Sequence, residues 1–356
     1  MNIKFYLTTG FLLPVGAVGG LLAETIGLPM PWMLGSLLFV ALAVSLRKSA
    51  LPENYEFPAN FRKFFMAFIG IMIGSQVNWV LINQAPQMLP SLIAISFFVI
   101  LAHASNFFIF YKIGHYDKST AFFCGAPGGL MESISMGEEA GCDIRVLTVQ
   151  QFLRIIFVII LVPVLMSIWI GEPVGSASGI KLPEVTTKLD FSSNYALVLL
   201  LAVLGLYIGP KLRLPAGHLM GPLLLTAAIN LTGIGPIYLP DFMLVISQIV
   251  VGAGLGCRFL GIDKLILYRA VGLSLISVIS MLAVGLLLCF IILPITLIPV
   301  NVLLICFAPG GVTEMSLIAL SLSANPATVT LHHLYRIILT VFGLTLLRKR
   351  LGLIKV

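Results

Sequence analysis

A short motif of one proline and two glycines occurs twice in the chain, each time within strongly apolar sequence. The first copy reads Ala126-Pro127-Gly128-Gly129 and the second reads Ala308-Pro309-Gly310-Gly311. The difference in residue number between Ala126 and Ala308, called the repeat offset below, also relates the polar residues that follow each copy. These are Glu132, Thr148, Gln151 and Arg154 after the first copy, and Glu314, Thr330, His333 and Arg336 after the second. The repetition predicts that the two copies form the two halves of one functional site.

The Pro-Gly-Gly stretches are expected to break hydrophobic helices. Non-helical backbone inside a membrane leaves N–H and C=O groups without partners, so it is tolerated only within protein or beside water. The helix that starts after each break would direct its amide groups at an anion, and the carbonyl end of the preceding helix would attract a cation. The alternative is a packing kink, in which glycine lets two helices approach closely.

The charged residues near each break have two interpretations. Glu132 and Glu314 fall in the first helical turn after the break. Each could stabilise the start of its helix through the dipole, or carry a proton or cation at membrane depth. Arg154 and Arg336 lie inside the following apolar stretches, where each could form a fixed salt bridge with the nearby glutamate or clamp a substrate carboxylate in a bidentate contact. The residues alone leave these alternatives open.

The apolar helix after each break carries a polar stripe, because polar residues recur there at every third position and so share one side of the helix. The stripes comprise Thr148, Gln151 and Arg154 in the first half, and Thr330, His333 and Arg336 in the second. Such a stripe predicts either a surface that faces a cavity or hydrogen bonds between helices. With the prolines, glycines and glutamates of the two motifs, the stripes form the predicted substrate-binding set. We expect no cofactor or metal, because the neighbouring residues His332 and His333 point apart on a helix and no cluster has metal-ligand spacing.

The composition is that of an integral membrane protein. Of the 356 residues, 59% are hydrophobic and only 10% are charged, and the mean hydropathy is +1.08. Soluble domains are about 45–50% apolar and about 25% charged. Continuous apolar runs of about 20 residues fit transmembrane helices rather than the alternating strands of a barrel. The net charge of +7 is no nucleic-acid footprint, because the basic residues lie in short loops and at the C-terminus.

Each half is predicted to contain about five transmembrane helices and one broken or re-entrant Pro-Gly-Gly helix. The first membrane repeat spans residues 1–170, a polar linker spans 171–193, and the second repeat spans 194–356. In the first half we expect helices at about 6–22, 31–46, 64–76, 90–111 and 144–170, with the broken segment at 121–140. In the second half we expect a helix at about 195–209, an apolar helix that ends near 293, the broken segment at 302–323 and a last helix at 326–347.

Glycine pairs provide a further match between the halves. Gly70 and Gly74 in the first half correspond to Gly252 and Gly256 in the second, again at the repeat offset. Glycines four residues apart on a membrane helix allow close packing against a neighbouring helix. We therefore assign these four residues a structural role.

Charge sets the predicted topology, because Lys and Arg accumulate in cytoplasmic loops. We take the N-terminus to be cytoplasmic. If both broken segments then crossed the membrane, the basic cluster of Lys211 and Arg213 and the C-terminal cluster from Arg348 would fall outside. If both are re-entrant hairpins, every basic cluster falls inside, and the uncharged turns near Asn83 and Thr296 fall outside. Each half then has an odd number of crossings, so the repeats must have inverted topology, as in many secondary transporters. Both termini are then cytoplasmic.

The chain also resembles a known family at its motifs. The stretches Gly125–Glu132, Gln150–Arg154 and Pro31–Gly35 are similar to the AbrB-duplication family of bacterial membrane proteins, which shares only its name with the soluble DNA-binding AbrB regulators. The resemblance covers nearly the whole chain and implies a multi-pass protein of the bacterial inner membrane with a duplicated module. Members are often labelled ammonia monooxygenases or regulators. The second copy departs from the first where His332 and His333 replace Gln150 and Gln151.

The expected function is secondary transport of a small anionic or zwitterionic solute, coupled to H⁺ or Na⁺, at a site between the repeats. The expected partners are the lipid bilayer, the solute and the coupling ion, without nucleic acid. We expect no enzymatic activity, and a homodimer is one open assembly. Two alternatives are a membrane-bound metal-dependent oxygenase and a membrane-embedded regulator that does not transport.

Overall fold

The structure is a computed structural model, and every regular element that it describes is helical. The predicted all-α class is therefore confirmed for the described residues. Most of the predicted linker, residues 172–190, lies outside them, as do the basic residues Arg47, Lys48 and Arg213. The described residues are 3–28, 30–46, 51–52, 55–171, 191–212, 214, 216–233, 237, 239–260, 264–322 and 324–350.

The helices of the first half are α1 (Ile3–Thr25), α2 (Pro31–Leu46), α3 (Ala59–Ser75), the short α4 (Trp79–Gln84), α5 (Leu89–Phe108), α6 (Lys118–Cys124), α7 (Leu130–Glu139) and α8 (Ile144–Ile170). Those of the second half are α9 (Phe191–Lys211), α10 (Gly217–Thr232), α11 (Asp241–Gly256), α12 (Lys264–Ile292), α13 (Val300–Phe307), α14 (Val312–Ser321) and α15 (Pro326–Arg350). The bounds predicted for α2 and α8 are confirmed. α3 starts at Ala59, before the predicted Phe64 and directly after Pro58, so the basic residues Arg62 and Lys63 belong to the helix.

Six described helical stretches are long and apolar enough to cross a membrane, and three shorter apolar helices accompany them. The protein is thus a helical, multi-pass membrane protein, with fewer full-length spans among the described residues than the predicted five for each half. The shorter apolar helices are Pro31–Leu46, Tyr195–Lys211 and Val312–Ser321. The long stretches are Lys4–Thr25, Pro86–Ile113, Ile144–Ile170, Asp241–Phe259, Ile266–Ile295 and Pro326–Arg348.

The sequence repeat extends to the helix boundaries. The two broken segments start at Lys118 and Val300, their second helices span residues 130–139 and 312–321, and the helices that follow start at Ile144 and Pro326. The repeat offset relates each of these positions to its counterpart. The sequence repeat therefore specifies the same order of breaks and helices twice.

The helices form two compact units, and each unit takes helices from both halves. The first unit contains α1–α3 and α9–α11. The second contains α5–α7, most of α8, α12, α13, the start of α14 and nearly all of α15. The division of the chain into two sequential repeats stays a prediction from the sequence, because the compact units do not follow chain order.

Helix exchange joins the halves within the first unit. A Cβ atom built on Gly70 of α3 would collide with the carbonyl oxygen of Leu219 in α10, and one built on Gly252 of α11 would collide with that of Met33 in α2. The glycines are required because no side chain fits between backbones this close. The predicted packing role is confirmed, and each pair joins a helix of one half to a helix of the other.

Within the second unit, α5 and its counterpart α12 run in opposite directions. The hydroxyl groups of Ser105 and Ser280 lie 3.2 Å apart. A Cβ atom built on Gly114, just beyond α5, would lie 3.0 Å from Leu273. The contacts of increasing residue number along α5 are with decreasing residue number along α12, so the two helices are antiparallel.

Candidate functional site

The first break places five buried residues between α6 and α7. α6 ends at Cys124, and residues 125–129 form the connection to α7. Gly129 precedes the first residue of α7 with φ +64°, in the left-handed region. An L side chain at such a backbone angle costs roughly 1–2 kcal/mol, so this position requires glycine.

The two arms of the first broken segment lie side by side. The backbone N–H of Asp143, just before α8, donates to the hydroxyl oxygen of Thr120 at the start of α6 over 3.1 Å. Nearer the tip, a Cβ atom built on Gly137 would lie 3.6 Å from that of Phe123. The segment therefore folds back on itself as a helical hairpin whose two ends meet.

The buried arginines bond the backbone of the breaks. Arg154 Nη1 donates to the carbonyl oxygen of Ala126, and Arg336 Nη1 donates to that of Ala308, in both cases 28 residues earlier in the chain. Arg336 Nη2 also donates to the carbonyl oxygen of Gly310 over 2.6 Å. A break leaves the last carbonyls of the preceding helix without helical partners. The guanidinium groups satisfy these carbonyls where the helix dipole is negative.

This arrangement differs from the predicted ion pairs between arginine and glutamate. Among the described residues, the hydrogen bonds of Arg154 and Arg336 all go to carbonyl oxygens. The carboxylates of the two glutamates instead lie beside the glycines that precede their own helices. Glu132 Oε2 lies 3.4 Å from a Cβ atom built on Gly129, and Glu314 Oε2 occupies the place that a Cβ atom on Gly311 would need. A glutamate at the third residue of a helix that reaches back in this way stabilises the start of the helix. This was one of the two interpretations.

The polar stripes face the broken segments. Gln151 Nε2 donates to the carbonyl oxygen of Phe123 over 2.8 Å, and His333 Nε2 lies 3.0 Å from that of Ile305. These contacts link equivalent positions, so the two halves form matching hydrogen bonds. The predicted alternative of hydrogen bonds between helices is thus confirmed for these two side chains. In the same stripes, Thr148 is half-buried and Thr330 is buried.

The residues before these stripe positions reach across to the other half. Gln150 Nε2 donates to the hydroxyl oxygen of Tyr116 over 2.8 Å, and its Oε1 accepts from Ser274 in α12. His332 Nε2 lies 2.7 Å from the hydroxyl oxygen of Ser91 in α5. The sequence identified these positions only as a difference between the copies, and it carried no signal for their partners.

Arg336 lies against both breaks. Besides its bonds to the second break, its Nε lies 3.6 Å from a Cβ atom built on Gly128 of the first break, where Thr340 Oγ1 lies at 3.3 Å. A Cβ atom on Gly129 would lie 3.0 Å from Val341 of the same helix, α15. The structure thus brings the two predicted halves of the site together around one guanidinium. Pro127 and Pro309 are buried within the breaks.

Several buried polar atoms around the breaks lack hydrogen-bond partners among the described residues. Arg154 is 5% exposed, Arg336 is 1% exposed and Asn106 is fully buried. Asn106, which sequence reasoning missed, lies beside the first break, because a Cβ atom on Gly125 would be 3.4 Å from the backbone carbonyl carbon of Asn106. Unsatisfied buried polar atoms are costly, and they mark places where a polar ligand gains most. These atoms are Nδ2 and Oδ1 of Asn106, Oε1 of Gln151, Nδ1 of His333, and Nε of Arg154 and Arg336.

The arrangement suits an anion. Two buried guanidinium groups meet at the first break and favour negative charge, and the start of α7 already holds the Glu132 carboxylate. Within the described part of the chain, no group of three His, Cys, Asp or Glu residues could hold a metal ion.

Comparison with known proteins gives the family. The sequence model of the family described as "Transition state regulatory protein AbrB" matches residues 32–352. The Bacillus subtilis strain 168 protein named "Uncharacterized protein YhjN" is 22% identical over 349 residues, which cover 93% of this chain and 90% of that protein. The Escherichia coli K12 protein named "Putative regulator AbrB" is 26% identical over 204 residues, 57% of each chain. Because the family match spans most of the chain, this multi-pass helical membrane protein belongs to the AbrB family.

Proposed function

We propose that this protein is a secondary transporter of a small anionic or zwitterionic solute, with the substrate site at the two Pro-Gly-Gly breaks. The observation that carries the proposal is the position of Arg336, which bonds the second break and lies against the first. Holding a charged guanidinium inside a membrane protein is expensive, and such groups occur mostly at substrate and ion pathways. A packing kink would not require one.

Two geometric features support an inverted-repeat transporter architecture. α5 and its counterpart α12 run antiparallel, as the contact between Ser105 and Ser280 indicates. α3 and its counterpart α11 have the same relation, because Gly254 near the end of α11 lies against Arg62 near the start of α3. Equivalent helices that run in opposite directions are expected when a two-fold axis lies in the membrane plane. We propose that the first hairpin is re-entrant from the cytoplasmic side and that both termini are cytoplasmic.

The solute would bind through its negative charge. Guanidinium groups bind carboxylates well, and the amide groups at the start of α7 add a favourable dipole. Glu132 and Glu314, at the first turns of α7 and α14, would carry the charge that couples transport to H⁺ or Na⁺. We propose no enzymatic activity, and we place the protein in the bacterial inner membrane.

A membrane-embedded regulator is the second candidate, because the matched family and the E. coli relative carry regulator names. A regulator would bind its ligand at the same breaks without moving it across the membrane. Binding alone therefore does not separate the two functions, whereas uptake does.

Thermal stabilisation of the purified protein tests whether the breaks form a binding site. A ligand that binds only the folded protein raises its apparent stability by mass action. We expect small carboxylates or amino acids to stabilise the protein and simple amines to have no effect. Stabilisation by amines alone, or by no member of the panel, would contradict the proposed anion site.

A further inference from the structure

The two breaks share a motif but differ in what fills the space beside it. In the second half, Met315 is fully buried and packs on Gly310, with its Cε 2.7 Å from a Cβ atom built on that glycine. At the repeat offset, the counterpart of Met315 is Ser133. Its hydroxyl group lies 3.4 Å from the carbonyl oxygen of Gly128. A long apolar side chain therefore covers the second break, whereas a short polar one borders the first.

The polar side chains beside the two breaks differ in the same direction. Asn106 borders the first break with neither amide atom paired among the described residues, and its counterpart in α12 is the apolar Leu288. Gln151 keeps an unpaired oxygen at the first break and its counterpart His333 keeps an unpaired Nδ1 at the second, so the difference between the breaks comes from Asn106. The unsatisfied hydrogen-bonding capacity is thus richer at the first break.

We infer that the ligand's polar groups bind at the first break alone, that the second break is its structural counterpart, and that the ligand is a zwitterion with both a carboxylate and an ammonium group. This inference rests on the proposed function and narrows it. The carboxylate would accept from Nε of Arg154 and Arg336. The ammonium group, a donor only, would donate to the oxygens of Asn106 and Gln151.

The unpaired atoms at the first break explain why the ligand should carry both a negative and a positive charge. A simple anion would satisfy the arginine nitrogens and the Asn106 Nδ2, but it would leave Asn106 Oδ1 and Gln151 Oε1 without donors. A buried acceptor that stays unpaired costs free energy. A ligand that carries a carboxylate and an ammonium group satisfies both sets of atoms, so the first break favours an amino-acid-like zwitterion over an anion of the same size.

Matched ligand pairs test the chemical class on the intact purified protein. The probes are L-alanine with propionate, L-glutamate with glutarate, and L-leucine with 4-methylvalerate, because each pair differs by the ammonium group alone. We expect at least one amino acid to raise the melting temperature and to bind about tenfold or more tightly than its partner acid. Equal affinity within every pair would overturn the zwitterion assignment while leaving an anion transporter intact. No shift with any probe would contradict the proposed function and this inference together.

Reciprocal substitutions test the assignment to the first break. Ser133→Met and Asn106→Leu give the first half the residues of the second, and Met315→Ser and Leu288→Asn do the reverse. We expect the first two to weaken binding of the stabilising amino acid about tenfold or more, and the last two to leave the affinity within about twofold once protein stability is matched. Loss of binding in Met315→Ser together with normal binding in Ser133→Met would overturn the inference. Melting temperatures without ligand separate lost binding from lost folding.

Discussion

Arg336 holds together two stretches of backbone that are far apart in the sequence, because it bonds Ala308 and Gly310 and lies against Gly128. Its counterpart Arg154 bonds Ala126 in the first break. A single guanidinium can do this because its donors lie in a fixed planar fork. The arginines close the broken helix ends, and under the proposed function their Nε nitrogens would bind an anion.

Removing the Arg336 guanidinium should destabilise the second break. Arg336→Ala leaves two buried carbonyl oxygens without donors, and we expect a loss of about 3 kcal/mol or more in the free energy of unfolding. Arg336→Lys keeps the charge but offers a single donor group, so we expect an intermediate loss. Arg348→Ala is the matched control, because its 2.6 Å ion pair with Glu139 has an exposed partner and should contribute at most about 1 kcal/mol. Thermal unfolding in detergent measures all three, and equal effects would contradict the structural role of Arg336.

Gly129 and Gly311, the last glycines of the two motifs, should respond differently to substitution. Gly129 has a left-handed backbone, so Gly129→Ala should cost roughly 1–2 kcal/mol. Gly311 is not among the described glycines with positive φ, and an added Cβ would mainly displace the flexible carboxylate of Glu314. We therefore expect Gly311→Ala to be the milder change in thermal unfolding. A larger loss in Gly311→Ala would contradict the geometry of the first break.

At element scale, the broken segments and their flanking helices are the part that sequence predicts best. Proline and glycine interrupt the apolar runs at fixed places, so the sequence alone predicts the breaks and the starts of α8 and α15. The helix exchange in the first unit could not. Gly70 predicts a close partner, but nothing in its sequence neighbourhood distinguishes Leu219 of the other half from a nearer helix.

The hairpin form of the first broken segment predicts labelling from one side. His115 before α6 and Gly141 after α7 should lie on the same, cytoplasmic face, because the ends of the segment meet at Thr120 and Asp143. Single cysteines at positions 115 and 141 should react with an impermeant reagent only from that face. A cysteine at position 83 should react only from the opposite face. The native cysteines are buried and should give little background. Labelling of positions 115 and 141 from opposite faces would contradict the hairpin.

In the molecule as a whole, the duplicated motif identified residues that lie together at the breaks, but it did not identify their partners. The sequence places Arg154, Arg336 and both glutamates near the breaks, and the structure agrees. It could not show that the arginines, 28 residues further along the chain, would occupy the carbonyl ends of the broken helices, because the spacing alone does not distinguish a fixed arginine from a bound cation. Asn106 and Ser133 were missed for a different reason. Their interest lies in how they differ from Leu288 and Met315, which a search for shared residues overlooks.

The antiparallel relation of α5 and α12 predicts a specific cross-link. Ser105→Cys with Ser280→Cys should form a disulfide on mild oxidation, because the two hydroxyl groups lie 3.2 Å apart and disulfides need close Cβ atoms. Ser105→Cys with Ser274→Cys is the control, since position 274 lies about 9 Å further along the helix. Cross-linking of the control pair in preference to the first would contradict the antiparallel packing of α5 and α12.

Uptake into proteoliposomes tests the central claim, that the two breaks form the substrate site of a secondary transporter. The labelled probe is the amino acid or carboxylate that stabilises the purified protein most, and the driving force is an imposed proton or sodium gradient. We predict saturable, gradient-dependent uptake by the wild-type protein and by Arg348→Ala, and little or none by Arg336→Lys reconstituted at equal amounts. Tight binding of the probe without uptake above protein-free liposomes would contradict transport. Full uptake by Arg336→Lys would contradict a substrate site at the breaks.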